Sequence, residues 1–275
     1  MFTKASAIFM AIVAGIPLAG CGNSSSSESR VDAVENSDTL PATVKLLVRA
    51  VADNDSAGFA ELVTYPIQRP YPLHDIDSKD QMKSYYKEMI DDSLRNVIVK
   101  AGPERWKEYG WRGWSLDDGQ YIWVDEGVYD VQYLSQKEIK MLDSLTDEEV
   151  RSIEPSIREG WFPVLCLRND GNGKVYRVDS NSRERRHHKE GKHYRMAVYG
   201  PANDLRGLPA QLLDGELENE GSANTVIYRF VVRPGEEVLL EPESPETGSP
   251  VLIEHNDSVV PLRRAYWHEL VNTPK

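Results

Sequence analysis

The feature that most limits what this chain can fold into is a change of hydrophobic period near Gly102. Before it, Leu40, Val44, Leu47, Val48 and Val51 recur at the spacing that lines one face of a helix, with Pro41 in the first turn and Asp38 or Thr39 as cap. A second short helix is expected over residues 56–63, ended at Tyr65-Pro66 because a residue before proline avoids helical geometry. Ser78 and Gln81 fit a capping box, and Met82, Tyr85, Tyr86, Met89, Ile90, Leu94, Val97 and Ile98 mark a third, longer amphipathic helix. After Gly102 come the runs Tyr121-Ile122-Trp123-Val124 and Val128-Tyr129-Asp130-Val131, set apart by turns at Asp117-Asp118-Gly119 and Asp125-Glu126-Gly127. Aromatic and β-branched runs bounded by Asp-Gly are antiparallel hairpins, so the expected class is α+β.

Further along, Thr146-Asp147-Glu148-Glu149 has the cap and carboxylates of a helix start, with Pro155 closing or bending that helix. Strands are expected at residues 161–167 and 174–178, around an Asn169-Asp170-Gly171-Asn172-Gly173 turn, and then at 194–199, 225–232, 238–241, 251–254 and 258–262. The turn lacks the acids and the twelfth-position Glu of a calcium loop, since the twelfth residue from Asp170 is Asn181.

The amino-terminal stretch states a chemical fate. Lys4 precedes an uncharged run from position 5 to position 18, too short to favour a permanent membrane span and ending in small residues. Leu18-Ala19-Gly20-Cys21 resembles the lipobox of bacterial lipoproteins, in which a lipid is attached to the cysteine thiol and cleavage follows before it. The resemblance implies a signal peptide over residues 1–20, lipidation of Cys21 and anchoring at a membrane of the bacterial cell envelope. The polar, Ser-rich residues 21–38 then read as a disordered tether. With Cys21 lipidated, Cys166 has no partner for a disulfide; in its apolar run Val164-Leu165-Cys166-Leu167 it reads as a buried core residue.

Residues 39–136 carry two short helices, a Tyr65-Pro66-Ile67 connection, a helix with Tyr85-Tyr86 and a Gly- and Trp-rich hairpin region. That order resembles the cone-shaped superfamily similar to nuclear transport factor two and to SnoaL-type cyclases. The resemblance implies N-terminal helices packed on a curved, cone-like antiparallel sheet with a pocket at its open end, lined by Tyr65, Tyr86, Trp111 and Trp123. A full cone needs more strands than residues 103–136 supply, so the others are expected from beyond residue 160. Residues 137–275 are then a β-rich continuation or a second domain.

The formal charge of −12 argues against nucleic acid as a partner, since phosphate contacts need clustered Lys and Arg. One basic segment stands out: Arg183, Arg185, Arg186, Lys189 and Lys192 offer an anion contact, or simply a solvated loop facing the acids of residues 214–220. The histidines among them lack companion carboxylates, and no metal or cofactor site is expected. No nucleophile elbow, phosphate loop, dinucleotide fingerprint or zinc-protease motif occurs, so no catalytic residue is assigned. The expectation is a non-catalytic envelope lipoprotein that binds a small ligand or an envelope protein. The alternatives are an isomerase or dehydratase using a tyrosine (Tyr65, Tyr85 or Tyr86) with Asp130 or Glu126, and a structural interaction protein.

Overall fold

A computed structural model describes residues 25–183, 193–220, 225–243, 249–254 and 258–273. The first helix, α1 (Ser25–Glu35), falls where a disordered tether is expected. Val31 and Val34, one helical turn apart, are buried against α2 (Ala42–Ala52) and α5 (Asp92–Lys100), with Val34 wholly out of solvent. Two buried valines contribute about 1.5–3 kcal/mol each, which offsets part of the cost of ordering a segment too polar to advertise itself.

Helix α2 begins after Pro41 without a side-chain cap, so neither Asp38 nor Thr39 serves. Next come α3 (Ser56–Glu61), capped by Asp55, and α4 (Lys79–Met89), capped by Ser78. The single long helix expected through residue 98 is two: Ile90 leaves helical geometry and Asp91 caps α5 by accepting from the Leu94 amide at 2.9 Å. The strands β1 (Trp106–Glu108), β2 (Trp114–Leu116), β3 (Ile122–Val124) and β4 (Val128–Val131) follow as an antiparallel meander. Its inward residues Trp106, Leu116, Ile122, Val124, Val128 and Val131 join the helices in one core.

Helix α6 (Gln136–Ser152) starts ten residues before the expected Thr146, because Ser135 and Glu138 form a complete capping box. Thr146 lies inside it, its hydroxyl donating back to the Leu142 carbonyl. Pro155 starts the next short helix, α7 (Pro155–Arg158).

The remaining strands are β5 (Phe162–Arg168), β6 (Val175–Ser180), β7 (Tyr194–Tyr199), β8 (Gln211–Glu220), β9 (Thr225–Arg233), β10 (Glu236–Glu241), β11 (Val251–Ile253), β12 (Val259–Pro261) and β13 (Arg263–Arg264), followed by α8 (Trp267–Asn272). They form one antiparallel sheet in the order β12-β11-β10-β9-β8-β7-β6-β5-β13. Only Leu262 separates β12, at one end of that order, from β13, at the other, so the sheet curls until it is nearly closed. A barrel of about eight strands has an interior just wide enough to be filled by side chains. Leu167, Tyr176, Val178, Met196, Phe230 and Leu240 are among those that fill it.

This sheet is separate from β1–β4, so the strands beyond residue 160 do not supply what a cone around the helices requires. Helices also follow the first sheet, so they are not confined to the N-terminal part. The acidic run 214–220, to which the sequence pattern assigns no strand, belongs to β8: Leu213 and Leu217 point into the barrel while Glu218 pairs outside with Arg229 at 2.9 Å. Gly215 stands opposite Phe230, where a Cβ would come within 2.3 Å of the ring.

Strands β6 and β7 are buried on both faces. Their outer face, with Val175, Ala197 and Tyr199, packs with Cys166 of β5 against Tyr71, Ala265 and Trp267. That layer is the seam between the barrel and the helical part.

Candidate functional site

The seam holds most of the buried charge among the described residues. Arg69, on the loop after α3, meets Glu138 of α6 at 2.7 Å and donates to the carbonyls of Val131 and Tyr133. On the barrel wall, Asp179 accepts from Arg177 at 2.8 Å and from Arg195 at 2.9 Å. Arg177 lies 4.4 Å from the Trp267 ring centre, and Arg195 lies at the same distance from Trp161. The charges are paired, as buried charges must be, although Arg195 Nη2 is left without a hydrogen-bond partner.

At the outer rim of the seam a second group is open to solvent. Its base is Glu149 of α6, fully buried, whose Oε1 accepts from the Tyr71 hydroxyl at 2.9 Å, from the His268 amide at 3.2 Å and from His268 Nδ1 at 2.8 Å. That last bond raises the pKa of His268 above its ordinary value. Burial, and then Glu149, push the Tyr71 phenol up. His74 faces Glu269, its Nε2 lying 3.1 Å from Oε1, with both side chains about half exposed. One ligand atom from each of His74, His268 and Glu269 falls within 4.8 Å of the others.

The local structure fixes these positions. His74 rides on a loop whose base is held by the paired backbones of Ile67 and Ile76. The Asp75 carboxylate accepts from the Arg69 amide at 2.8 Å and from Arg264 at 2.9 Å. Burial pulls Asp75 above the usual carboxylate range and Arg264 opposes it. The Tyr266 ring lies 3.8 Å from the His74 ring, centre to centre, and its hydroxyl receives the Asp75 amide. Helix α8 is fastened by Trp267, whose indole donates to Ser152 at 2.8 Å and whose amide donates to the Tyr71 hydroxyl.

The four residues expected to line one pocket do not converge. Tyr86 is buried in the helical core, with its hydroxyl unpartnered, and Tyr65 donates to the Ala60 carbonyl at 2.9 Å. Burial raises both phenols to about 12. Trp111 is 82% exposed and borders an open groove of about 260 Å³ with Thr64, Arg112, Asp125, Glu126 and Tyr129. Trp123 packs behind that groove on Tyr109 and Tyr129. The expected pocket is therefore split between a core and a surface. Local pattern reveals that these side chains are large and aromatic; it does not reveal which helix or strand comes to lie over them.

Of the expected anion contacts, Arg183 is engaged by Asp147 and lies over the Phe162 ring, so its guanidinium is committed within the fold. Arg185, Arg186, Lys189 and Lys192, like the lipidation residue Cys21, lie outside the described residues. Cys166 is a buried free thiol, held protonated by desolvation. The Asp170 turn closes through Asn169 side-chain and backbone bonds, and Asp170 pairs with Arg263 at 2.9 Å. His74, His268 and Glu269 were not legible together, because His74 is separated from the other two by most of the chain; the one local signal was His268-Glu269 beside the aromatic Tyr266-Trp267. No protein-family model, no curated protein and no solved structure matches this chain.

Proposed function

We propose that this chain is a bacterial envelope lipoprotein, anchored through Cys21, whose folded part is a non-catalytic module that binds a ligand or a partner. The observation that carries the binding reading is the rim of the seam. There the buried Glu149 orients His268 beside the half-exposed pair His74 and Glu269, while the deeper charges are consumed by one another. Binding rather than turnover is supported by the state of the expected acid–base tyrosines. Tyr65 and Tyr86 have phenols raised to about 12 and neither is hydrogen-bonded to a carboxylate, while Tyr85, raised by burial and then by Glu138, faces a carboxylate already paired with Arg69. General acid–base work near neutrality needs groups poised close to the working pH and within reach of one substrate.

The anchor rests on Leu18-Ala19-Gly20-Cys21 at the end of an uncharged leader. Among the described residues no helix is long and apolar enough to cross a membrane. Growth with radioactive palmitate is expected to label the full chain and leave Cys21→Ala unlabelled; equal labelling of both would remove the anchor. A second reading, a structural interaction module, is favoured by Trp111, which stands exposed at the groove with the Arg112 guanidinium 5.1 Å from its ring centre. Exposed tryptophan beside arginine is common where one protein meets another.

A further inference from the structure

We propose that His74, His268 and Glu269 form a site for one divalent transition-metal ion of the zinc class. The proposal deepens the binding-module reading and rests on it; it is independent of the lipid anchor.

The donor set is the first reason. Two imidazoles and one carboxylate, with a fourth position open to solvent, make a set that zinc accepts. Imidazole nitrogen also favours zinc, copper and nickel over the oxygen-seeking calcium and magnesium. Spacing is the second. Ligand atoms held about 2.0–2.1 Å from a tetrahedral centre are separated from each other by roughly 3.3 Å. His74 Nε2 and Glu269 Oε1, 3.1 Å apart, already stand at nearly that separation, and a ring nitrogen of His268 lies within 4.8 Å of a ligand atom from each of the other two residues. The third is orientation. His268 gives Nδ1 to the buried Glu149 at 2.8 Å, which fixes the ring and leaves Nε2 for a ligand. A carboxylate behind a histidine in this way holds its tautomer and raises its basicity toward a metal. Glu149 is itself held by the Tyr71 hydroxyl and the His268 amide, so the support behind His268 is prearranged. His74 is steadied from the other side by the Tyr266 ring and by the Asp75–Arg264 pair beneath its loop.

A metal here would clasp α8 to the loop carrying His74, two segments joined across the rim by the exposed His74–Glu269 pair. The ordinary alternative is that this pair is a surface contact with no affinity for metal. The two differ in stoichiometry and in which substitutions matter.

The test is a titration of the full-length protein, stripped with chelator and held in detergent, with zinc in competition against a chromophoric chelator and with cobalt read by its visible absorption. One equivalent per chain is expected, with the strong visible bands of a four-coordinate cobalt site. His74→Ala and Glu269→Ala alter half-exposed side chains and are expected to keep the wild-type circular dichroism while weakening binding at least about tenfold. Glu149→Gln, which keeps all three ligands, is expected to weaken it by about 10- to 100-fold. The triple variant His187→Ala/His188→Ala/His193→Ala is expected to bind as the wild type does. Absence of stoichiometric binding, binding indifferent to His74→Ala and Glu269→Ala in folded protein, or binding lost in the triple variant each overturns the proposal. If every arm fails while palmitate still labels Cys21, the metal site falls and the anchored module stands.

Discussion

Arg69 and Glu138 meet at 2.7 Å with side chains 1% and 0% exposed, joining the loop after α3 to the first turn of α6. Because Glu138 also returns to the Ser135 amide at 3.0 Å, one carboxylate both starts α6 and fastens it to the helical part. The helix that carries Glu149 is therefore placed by a contact eleven residues upstream.

Breaking that pair from one side should be costly. Arg69→Met leaves Glu138 buried without its cation, and about 3–5 kcal/mol of stability is expected to be lost. Arg69→Met combined with Glu138→Met removes both charges and should lose much less than the two single losses added. Urea unfolding of the four proteins measures this, and strict additivity would show that the two residues are not coupled.

Asp179 serves two arginines on the barrel wall, so Asp179→Asn should release both Arg177 and Arg195. A loss of about 3–5 kcal/mol is expected, since two cations are left in a place removed from water. Each cation lies over a tryptophan, Trp267 or Trp161, so folded Asp179→Asn should also show shifted indole emission. Wild-type emission together with wild-type stability would contradict the arrangement.

His268 makes the folded state sensitive to pH. Its pKa is raised in the fold by the Glu149 hydrogen bond, from an unfolded value of about 6.5. The stabilisation is therefore complete below about pH 6.5 and is lost as pH climbs through the folded value. In chelator, the difference in unfolding free energy between wild type and His268→Gln should be largest at acidic pH and should shrink on the alkaline side. A difference constant from pH 5.5 to 8.5 would rule this out.

Val34 tests the extent of the folded body. It is wholly buried in α1, so Val34→Asp should cost at least about 2 kcal/mol through lost apolar burial alone. A substitution within a solvated tether would leave the unfolding curve where it was. Thermal or urea unfolding of this single variant therefore separates the two states of residues 25–35.

What the sequence determined by itself was whatever depends on neighbours in the chain. The 3.6-residue period of Leu40 to Val51, the Ser78 cap and the Asp-Gly turns around β3 each act within a few residues, and α2, α4 and the meander stand where those signals put them. Where two local signals competed, the apolar period outweighed the cap: Asp91 sits inside a run that reads as one helix, and only the capped geometry after Ile90 showed that the one long helix is two. The acids of β8 hid a strand, since its inward Leu213 and Leu217 are few and its outward Glu218 finds Arg229 only across the sheet.

Tertiary structure alone decided the rest. Closure of the barrel depends on β5 and β13, nearly a hundred residues apart, coming side by side. The rim of the seam depends on His74, Glu149 and His268 arriving at one place from a loop, the last turn of one helix and the start of another. Such convergence is governed by which faces bury one another, a long-range outcome that no short-range period encodes.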